Sequence, residues 1–250
     1  MSEKIKKTIY LNYHNLGYGL QVGINKVHPL IFKNHINLIE DILLKREDID
    51  ISITFDDGYE NIYKYAQSDL NESSIKEKKV FIITDYIGKK NTWDFSFYFN
   101  RYNHLNKDQI KSLHADGWEI GSHGLSHRSF LSINRDEAKN EVVVSKEILE
   151  EMTGSEVKSI APPFSEIDQE VYDICVEAGY NAIYTQKKTR IIPADGVDIF
   201  LRNNVYSIDR NDNIIKKINS SEGEDRKEKF ISSFNNLTIL FSKFLKKQSI

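Results

Sequence analysis

The residues best equipped for chemistry in this 250-residue chain fall in two groups. Thr54-Phe55-Asp56-Asp57-Gly58 sets two adjacent carboxylates at the end of an apolar run, and His123-Gly124-Leu125-Ser126-His127 spaces two histidines four residues apart. Carboxylate and imidazole together suit a divalent cation such as zinc, and a carboxylate left over from ligation can handle a proton. Successive side chains at a strand end diverge, so Asp56 and Asp57 can face different partners. Gly58 permits a tight turn behind them, and the N-terminus of a following helix favours negative charge there. Each motif alone is weak, because Asp-Asp-Gly is a common turn sequence and histidines at i and i+4 also occur by chance. On one helical turn the two histidines would face the same side, a spacing that holds zinc in other folds. At strand-to-loop positions of one α/β chain, the two motifs jointly point to a metal-dependent hydrolase.

The elements that must carry these residues alternate along the chain. Residues 9–13 read as a strand, 35–44 as a helix with apolar Ile36, Leu38, Ile39, Ile42 and Leu43, and 49–55 as a strand ending at the carboxylates. Residues 59–70 read as a helix, 80–83 as a buried strand, 107–115 as a short amphipathic helix and 118–120 as a strand ahead of the histidines. Asn134 with Glu137 is a capping-box pattern that opens a long helix to about 152. A strand over 159–161, a helix over 168–178 closed by Gly179, and a strand over 182–184 follow. Repeated βα units predict a largely parallel sheet covered by helices, open or closed into a barrel. Sites in such folds lie at the carboxyl ends of strands, where both Asp56-Asp57 and Ala161-Pro162-Pro163-Phe164 fall.

Composition narrows the function classes. Apolar residues make up 40% and charged residues 28%, ordinary values for a soluble globular protein. A formal charge of −3 carries no footprint for nucleic acid. The single cysteine, Cys175, excludes an internal disulfide framework and a CxxC-type metal site. It lies in the apolar pattern Val171, Ile174, Ala178 and reads as a buried, inert thiol. The charged N-terminus has no signal-peptide core and nothing approaches the ~20 apolar residues of a membrane span, so the expected location is the cytoplasm. With no internal repeat and no linker, the chain reads as one domain over 1–250, a core over about 9–206 and a helical extension over 207–250. In that extension Phe230, Phe234, Leu237, Phe241 and Phe244 form a stripe flanked by Lys227, Lys229, Lys243, Lys246 and Lys247. It reads as a helix packed on the domain, or as a basic amphipathic helix making peripheral contact with an anionic membrane.

Taken in order, Thr54 to Gly58, Ser122 to His127 and Pro162-Pro163-Phe164 resemble the polysaccharide deacetylase family, the NodB-homology or carbohydrate esterase 4 group. Asp85-Tyr86-Ile87-Gly88 and Gly117-Trp118-Glu119-Ile120-Gly121 add further likenesses, and the resemblance spans roughly residues 9–205. It implies an α/β fold of the irregular (β/α) barrel type, here with an additional C-terminal helix. It implies Asp57, His123 and His127 as ligands of a divalent metal, zinc first, with cobalt or manganese as substitutes. It makes Asp56 the general base that takes a proton from the attacking water, and a backbone N–H near Phe164 a donor to the oxyanion. Ser122 and Ser126 read as supports behind the ligands. Pro163, Phe164, Tyr59 and Trp93 are the implied substrate-side residues, although core packing is an equal role for the Tyr59 and Trp93 rings.

Two departures from the family pattern bear on the proton chemistry. Many members carry an arginine in Arg-Pro-Pro-Tyr-Gly that orients the base, whereas this chain has Ala161 there. The branch that resembles it most, acting on poly-N-acetylglucosamine, also has alanine. Arg202, in Phe200-Leu201-Arg202-Asn203, resembles a Leu-Pro-Arg stretch of that branch; it either approaches the base from another strand or is a surface or structural arginine. Most members also have a Leu-His motif near the C-terminus that supplies the acid, yet no histidine follows His127 here. Ile9-Tyr10-Leu11-Asn12-Tyr13-His14 resembles the N-terminal segment of the same branch, where that motif is circularly permuted to the front. A strand moved from last to first takes the same place in a closed barrel, which makes His14 the general acid. His28, His35, His104 and His114 match no motif and default to loop or solvated-helix roles.

The expected substrate is the acetamide of an N-acetylated amino sugar in a surface polysaccharide or its precursor. Rival readings are a deformylase or deacetylase of another small or lipid-linked amide, a non-catalytic carbohydrate-binding pseudoenzyme, and a membrane-docked scaffold that uses the tail.

Overall fold

Seven strands, all paired in parallel, close on themselves in the order β1 (Lys7–Tyr13), β4 (Ile49–Phe55), β5 (Glu77–Ile82), β6 (Glu119–Ser122), β7 (Ser159–Ile160), β8 (Ala182–Thr185) and β9 (Asp198–Asn204). The structure is a computed structural model that describes residues 6–19, 24–92 and 102–220. Strand β9 pairs with β1 to complete the ring, so the first and last strands are neighbours. A small ribbon of β2 (Asn15–Leu16) and β3 (Lys26–Val27) follows β1. The helices lie between the strands: α1 (Pro29–Leu43), α2 (Glu60–Tyr65), α3 (Gln67–Glu72), α4 (Lys107–Ala115), α5 (Arg135–Thr153) and α6 (Gln169–Glu177), with α7 (Asn211–Asn219) after β9. The expected (β/α) barrel is the one observed.

The period of two along each strand sorts residues into two cores. Leu11, Tyr13, Ile51, Ile53 and Phe55 face the helices and pack with Phe32, Ile36 and Ile39 of α1. Their alternates face inward. Tyr10, Phe81, Ala161 and Tyr184 form a separate cluster, against which Ala182 and Phe200 pack. Tyr184 stacks on Phe200 with ring centroids 5.0 Å apart, and Tyr10 meets Tyr184 edge-on at 5.4 Å. This aromatic plug fills the lower barrel, so the polar residues one or two steps further along the same faces are carried to the mouth.

Gly121 shows how tightly the plug is seated. A Cβ there would lie 2.5 Å from Phe81 Cδ1 and 2.7 Å from Ser159 Oγ. Gly121→Ala is therefore expected to cost about 1–3 kcal/mol through overpacking, read as a lower urea midpoint at unchanged m-value.

Several boundaries differ from the sequence reading for local reasons. Helix α1 starts at Pro29 rather than near residue 35, because Pro29 occupies the first helical turn and His28 Nδ1 accepts from Leu30 N at 3.2 Å. Residues 59–70 do not form one helix; Ala66, at φ −112°, separates α2 from α3. Strand β9 escapes the alternation pattern because its inward positions hold Arg202 and Asn204 in place of apolar residues. The long helix α5 has the expected capping box, Asn134 with Glu137, and ends at Gly154 in the left-handed region, φ 70°. Cys175 is buried, and burial pushes its thiol up to about 12. No helix among the described residues is long and apolar enough to cross a membrane. The tail stripe over 230–244 lies outside the described residues, as does Trp93.

Candidate metal centre

Barrel closure gathers the chemical residues at one mouth. His14 follows β1, Asp56 and Asp57 follow β4, His123 follows β6, and Arg202 reaches the same place from within β9. The Asp56-Asp57-Gly58 turn separates the two carboxylates. Asp57 has φ 70° and Gly58 φ 68°, and a Cβ on Gly58 would stand 2.9 Å from Ile82 Cδ1. The left-handed backbone favours glycine there, and any larger residue would also have to displace the end of the Ile82 side chain. The left-handed step at Asp57 turns its carboxylate away from the Asp56 direction and toward the histidines.

Asp57 Oδ1 lies 3.4 Å from His123 Nε2 and 3.4 Å from His127 Nε2. The three ligating atoms sit within 4.8 Å of one another, and all three residues are buried. The histidine pair is not on a helical turn, contrary to the spacing argument. His123 directly follows β6, and the chain then loops through Gly124 at φ 80° to His127 at φ 58°. His123 Nδ1 donates to Ala161 O at 2.5 Å, which orients the ring with Nε2 toward Asp57, so that Nε2 is the nitrogen free to give up its proton and ligate. Burial disfavours a charged His123, but its hydrogen bond to Asp57 and the charges of Asp56 and Asp57 outweigh that and raise its pKa. Burial likewise opposes ionisation of Asp57, and His123 and His127 hold its pKa low regardless. One carboxylate and two imidazole nitrogens, converging in a pocket whose field favours positive charge, fit a divalent ion with positions left for water and substrate.

Asp56 has a different company. Arg202 donates through both terminal nitrogens, Nη1 to Oδ1 at 2.7 Å and Nη2 to Oδ2 at 3.0 Å. Asn12 Nδ2 donates to Oδ2 at 2.9 Å and Gln186 Nε2 at 3.3 Å, while His14 Nε2 stands 4.0 Å from the same oxygen. Burial alone would raise the Asp56 pKa. The charges of Arg202, His123 and His14 reverse that and hold it well below the usual carboxylate range. Arg202 is 1% exposed, its guanidinium lies 5.0 Å over the Phe81 ring, and Nη1 also donates to Asn12 Oδ1 at 2.8 Å. Arg202 is therefore not a surface arginine; it reaches Asp56 from β9 and pairs with it in the barrel interior.

Sequence reasoning missed the polar frame around this pair. Thr54 Oγ1 donates to Asn12 Oδ1 at 2.7 Å, and Asn204 Nδ2 donates to Gln186 Oε1 at 2.7 Å. Asn12, Thr54 and Asn204 share inward faces with His14, Asp56 and Arg202, so strand parity was the available signal. Phe164 falls in a turn with left-handed φ at Phe164, 60°, and Ser165, 52°, and its ring meets His127 edge-on at 4.7 Å. Pro163, in the same turn, is buried.

Tyr59 does not present its ring as a sugar platform. It is 4% exposed, stacks on His104 at 4.9 Å, and its hydroxyl accepts from Asn91 Nδ2 at 3.2 Å. Two of the unassigned histidines are likewise buried rather than solvated. His35 contacts Tyr13 Oη at 3.2 Å, and His104 contacts Lys89 O through Nδ1 at 3.3 Å. Burial lowers the His104 pKa from 6.5 to about 4. Between those values the unfolded chain binds the proton and the folded chain does not, so His104 makes stability rise with pH across that window. The full effect corresponds to roughly 3 kcal/mol. His104→Gln is expected to flatten that part of the pH–stability curve, measured by urea unfolding at pH 4 to 7.

A family model described as polysaccharide deacetylase matches residues 44–183, more than half of the chain. The chain belongs to the polysaccharide deacetylase family. The matched stretch contains Asp56, Asp57, His123 and His127; His14 and Arg202 lie outside it, one on each side, and meet because β1 pairs with β9. Among curated relatives, YxkH of Bacillus subtilis is 24% identical over 195 residues, which cover 72% of this chain and 64% of YxkH. The chain thus spans less than two thirds of that relative. Among solved structures, the deacetylase PplD of Streptococcus pyogenes, in complex with acetate, superposes with a TM-score of 0.68 at 16% identity, covering 86% of this chain and 99% of that one. IcaB from Ammonifex degensii gives 0.69 at 16% identity, covering 87% and 99%. At these identities the likeness is one of fold.

Proposed function

We propose that this polysaccharide deacetylase family member is a metal-dependent N-deacetylase. It would hydrolyse the acetamide of an N-acetylated amino sugar in a surface polysaccharide or its precursor. The observation that carries the reading is the division of labour at the mouth. Asp57 is turned toward two imidazoles, while Asp56, its immediate neighbour, is held between Arg202 and His14.

Asp57, His123 and His127 would hold a divalent ion, which when bound would polarise the acetamide carbonyl and make water more acidic. Asp56 takes the proton from that water as it adds to the carbonyl carbon. Arg202, Asn12 and Gln186 fix the plane of the Asp56 carboxylate, so it meets the water in one orientation. The backbone N–H at Phe164 is the protein donor to the developing oxyanion. As the C–N bond breaks, His14 gives the proton on Nε2 to the leaving nitrogen, and acetate and a free amine result. A rim turn of Pro163 and Phe164, packed against His127, shapes the space beside the acetyl group.

The test is acetate release, with zinc, cobalt or manganese supplied, from N-acetylglucosamine oligomers of increasing length beside small N-formyl and N-acetyl amides. The reading expects release from the sugars and a loss of roughly 10²–10⁴-fold in kcat for His14→Ala. Faster turnover of the small amides would favour the rival substrate class, and activity unchanged in His14→Ala would remove the acid from this residue.

A further inference from the structure

The loop between the two histidines is held by hydrogen bonds at nearly every backbone group. Gly124 O accepts from Thr84 N at 3.2 Å and Leu125 O from Asp85 N at 2.8 Å, on the side of the loop after β5. On the other side stands α5. Ser145 Oγ contacts Ser122 Oγ at 2.7 Å, and Ser122 Oγ accepts from Gly124 N at 3.0 Å. The larger share falls to Glu141, on the inner face of α5. Its Oε2 accepts from both Leu125 N, at 2.9 Å, and Ser126 N, at 2.8 Å, while Oε1 accepts from the Ser126 hydroxyl. Glu141 is 3% exposed. A Cβ on Gly124 would lie 3.4 Å from Glu141 Oε2 and 3.1 Å from the Phe130 ring, so the loop closes directly onto this carboxylate.

A buried carboxylate is costly to desolvate, and here its hydrogen bonds go to the segment that sets the separation of His123 and His127. We propose that Glu141 is a positioning residue that preorganises the two histidines for the metal. This inference rests on the metal-dependent reading given above. Glu141 lies outside the Asp57-His123-His127 group; it holds Leu125 and Ser126 so that His127, at its left-handed φ, returns to within 3.4 Å of Asp57. Without it two backbone N–H groups lose their acceptor, and the loop must repay that by rearranging.

The experiment is calorimetric titration of zinc into the chelator-treated full chain, comparing wild type, Glu141→Ala and Glu141→Gln, each confirmed folded by circular dichroism. Removal of groups that orient metal ligands typically weakens affinity 10–100-fold, and that loss is expected for Glu141→Ala. Glu141→Gln keeps one carbonyl oxygen for the two N–H groups and is expected to fall between the others; it also carries the test should the alanine variant fail to fold. Zinc affinity equal to wild type in the folded variants, whatever their thermal stability, overturns the inference and leaves Glu141 a purely structural residue. Absence of zinc binding in wild type instead overturns the metal-dependent reading itself.

Discussion

Asp56→Asn is expected to lower acetate release by roughly 10²–10⁴-fold while zinc binding is retained. The substitution leaves Asp57, His123 and His127 untouched but removes the group proposed to accept the water proton. An amide at this position also presents N–H toward donors, because Arg202, Asn12 and Gln186 all donate to the carboxylate. The variant should therefore lose stability as well as activity, and the rate must be normalised to folded protein. Zinc titration separates the effects. Intact zinc affinity with lost turnover assigns the loss to proton transfer, whereas lost affinity would mean that Asp56 belongs to the metal site.

The second large effect falls on stability. Arg202→Met leaves Asp56 buried with its main counter-charge gone, and breaking a buried ion pair from one side costs about 3–5 kcal/mol. The pH dependence follows from the depressed pKa of Asp56. Its contribution is present above the ordinary carboxylate range, about pH 4, and is lost as pH falls toward the lowered folded value. In Arg202→Met that carboxylate returns toward or above its ordinary value, so acid destabilisation sets in at higher pH. Asp56→Asn combined with Arg202→Met should cost less than the sum of the single changes, because neither buried charge is then left alone. Urea unfolding of the four proteins from pH 4 to 8 reads both quantities. Additive costs would show that the two side chains do not act as a pair.

These two residues also mark where the sequence was readable. Asp56 and Asp57 end a run whose alternation fixes a strand, so their position at a strand terminus was legible, as was the place of His123 after β6. Asp57 facing the histidines was not legible in detail, because it depends on a left-handed backbone step, φ 70°, that the Asp-Asp-Gly turn only permits. His14 could be located because a strand shifted to the front of the chain still borders β4 in a closed ring. The role of Arg202 stayed open because β9 carries polar residues on its inward face, and the period that identifies other strands fails there. Asn12 and Asn204 lie on β1 and β9, Gln186 directly follows β8, and the three meet only after closure. Glu141 looks like any acidic residue of a charged helix; its partners, Leu125 and Ser126, are set by how α5 packs behind β6. Tyr59 was left between core packing and the groove for a related reason, since the residues that cover its ring follow it by a long stretch of chain.

In the proposed reaction one centre built from Asp57, His123 and His127 activates the water whose proton Asp56 takes. The most direct measurement is zinc titrated into the chelator-treated chain while acetate release from an N-acetylglucosamine oligomer is followed. No release is expected before zinc, then a rise that saturates at one ion per chain, and no such rise in His127→Ala at the same zinc concentrations. Full acetate release from the metal-free chain, or zinc-dependent release unchanged in His127→Ala, would contradict the proposal.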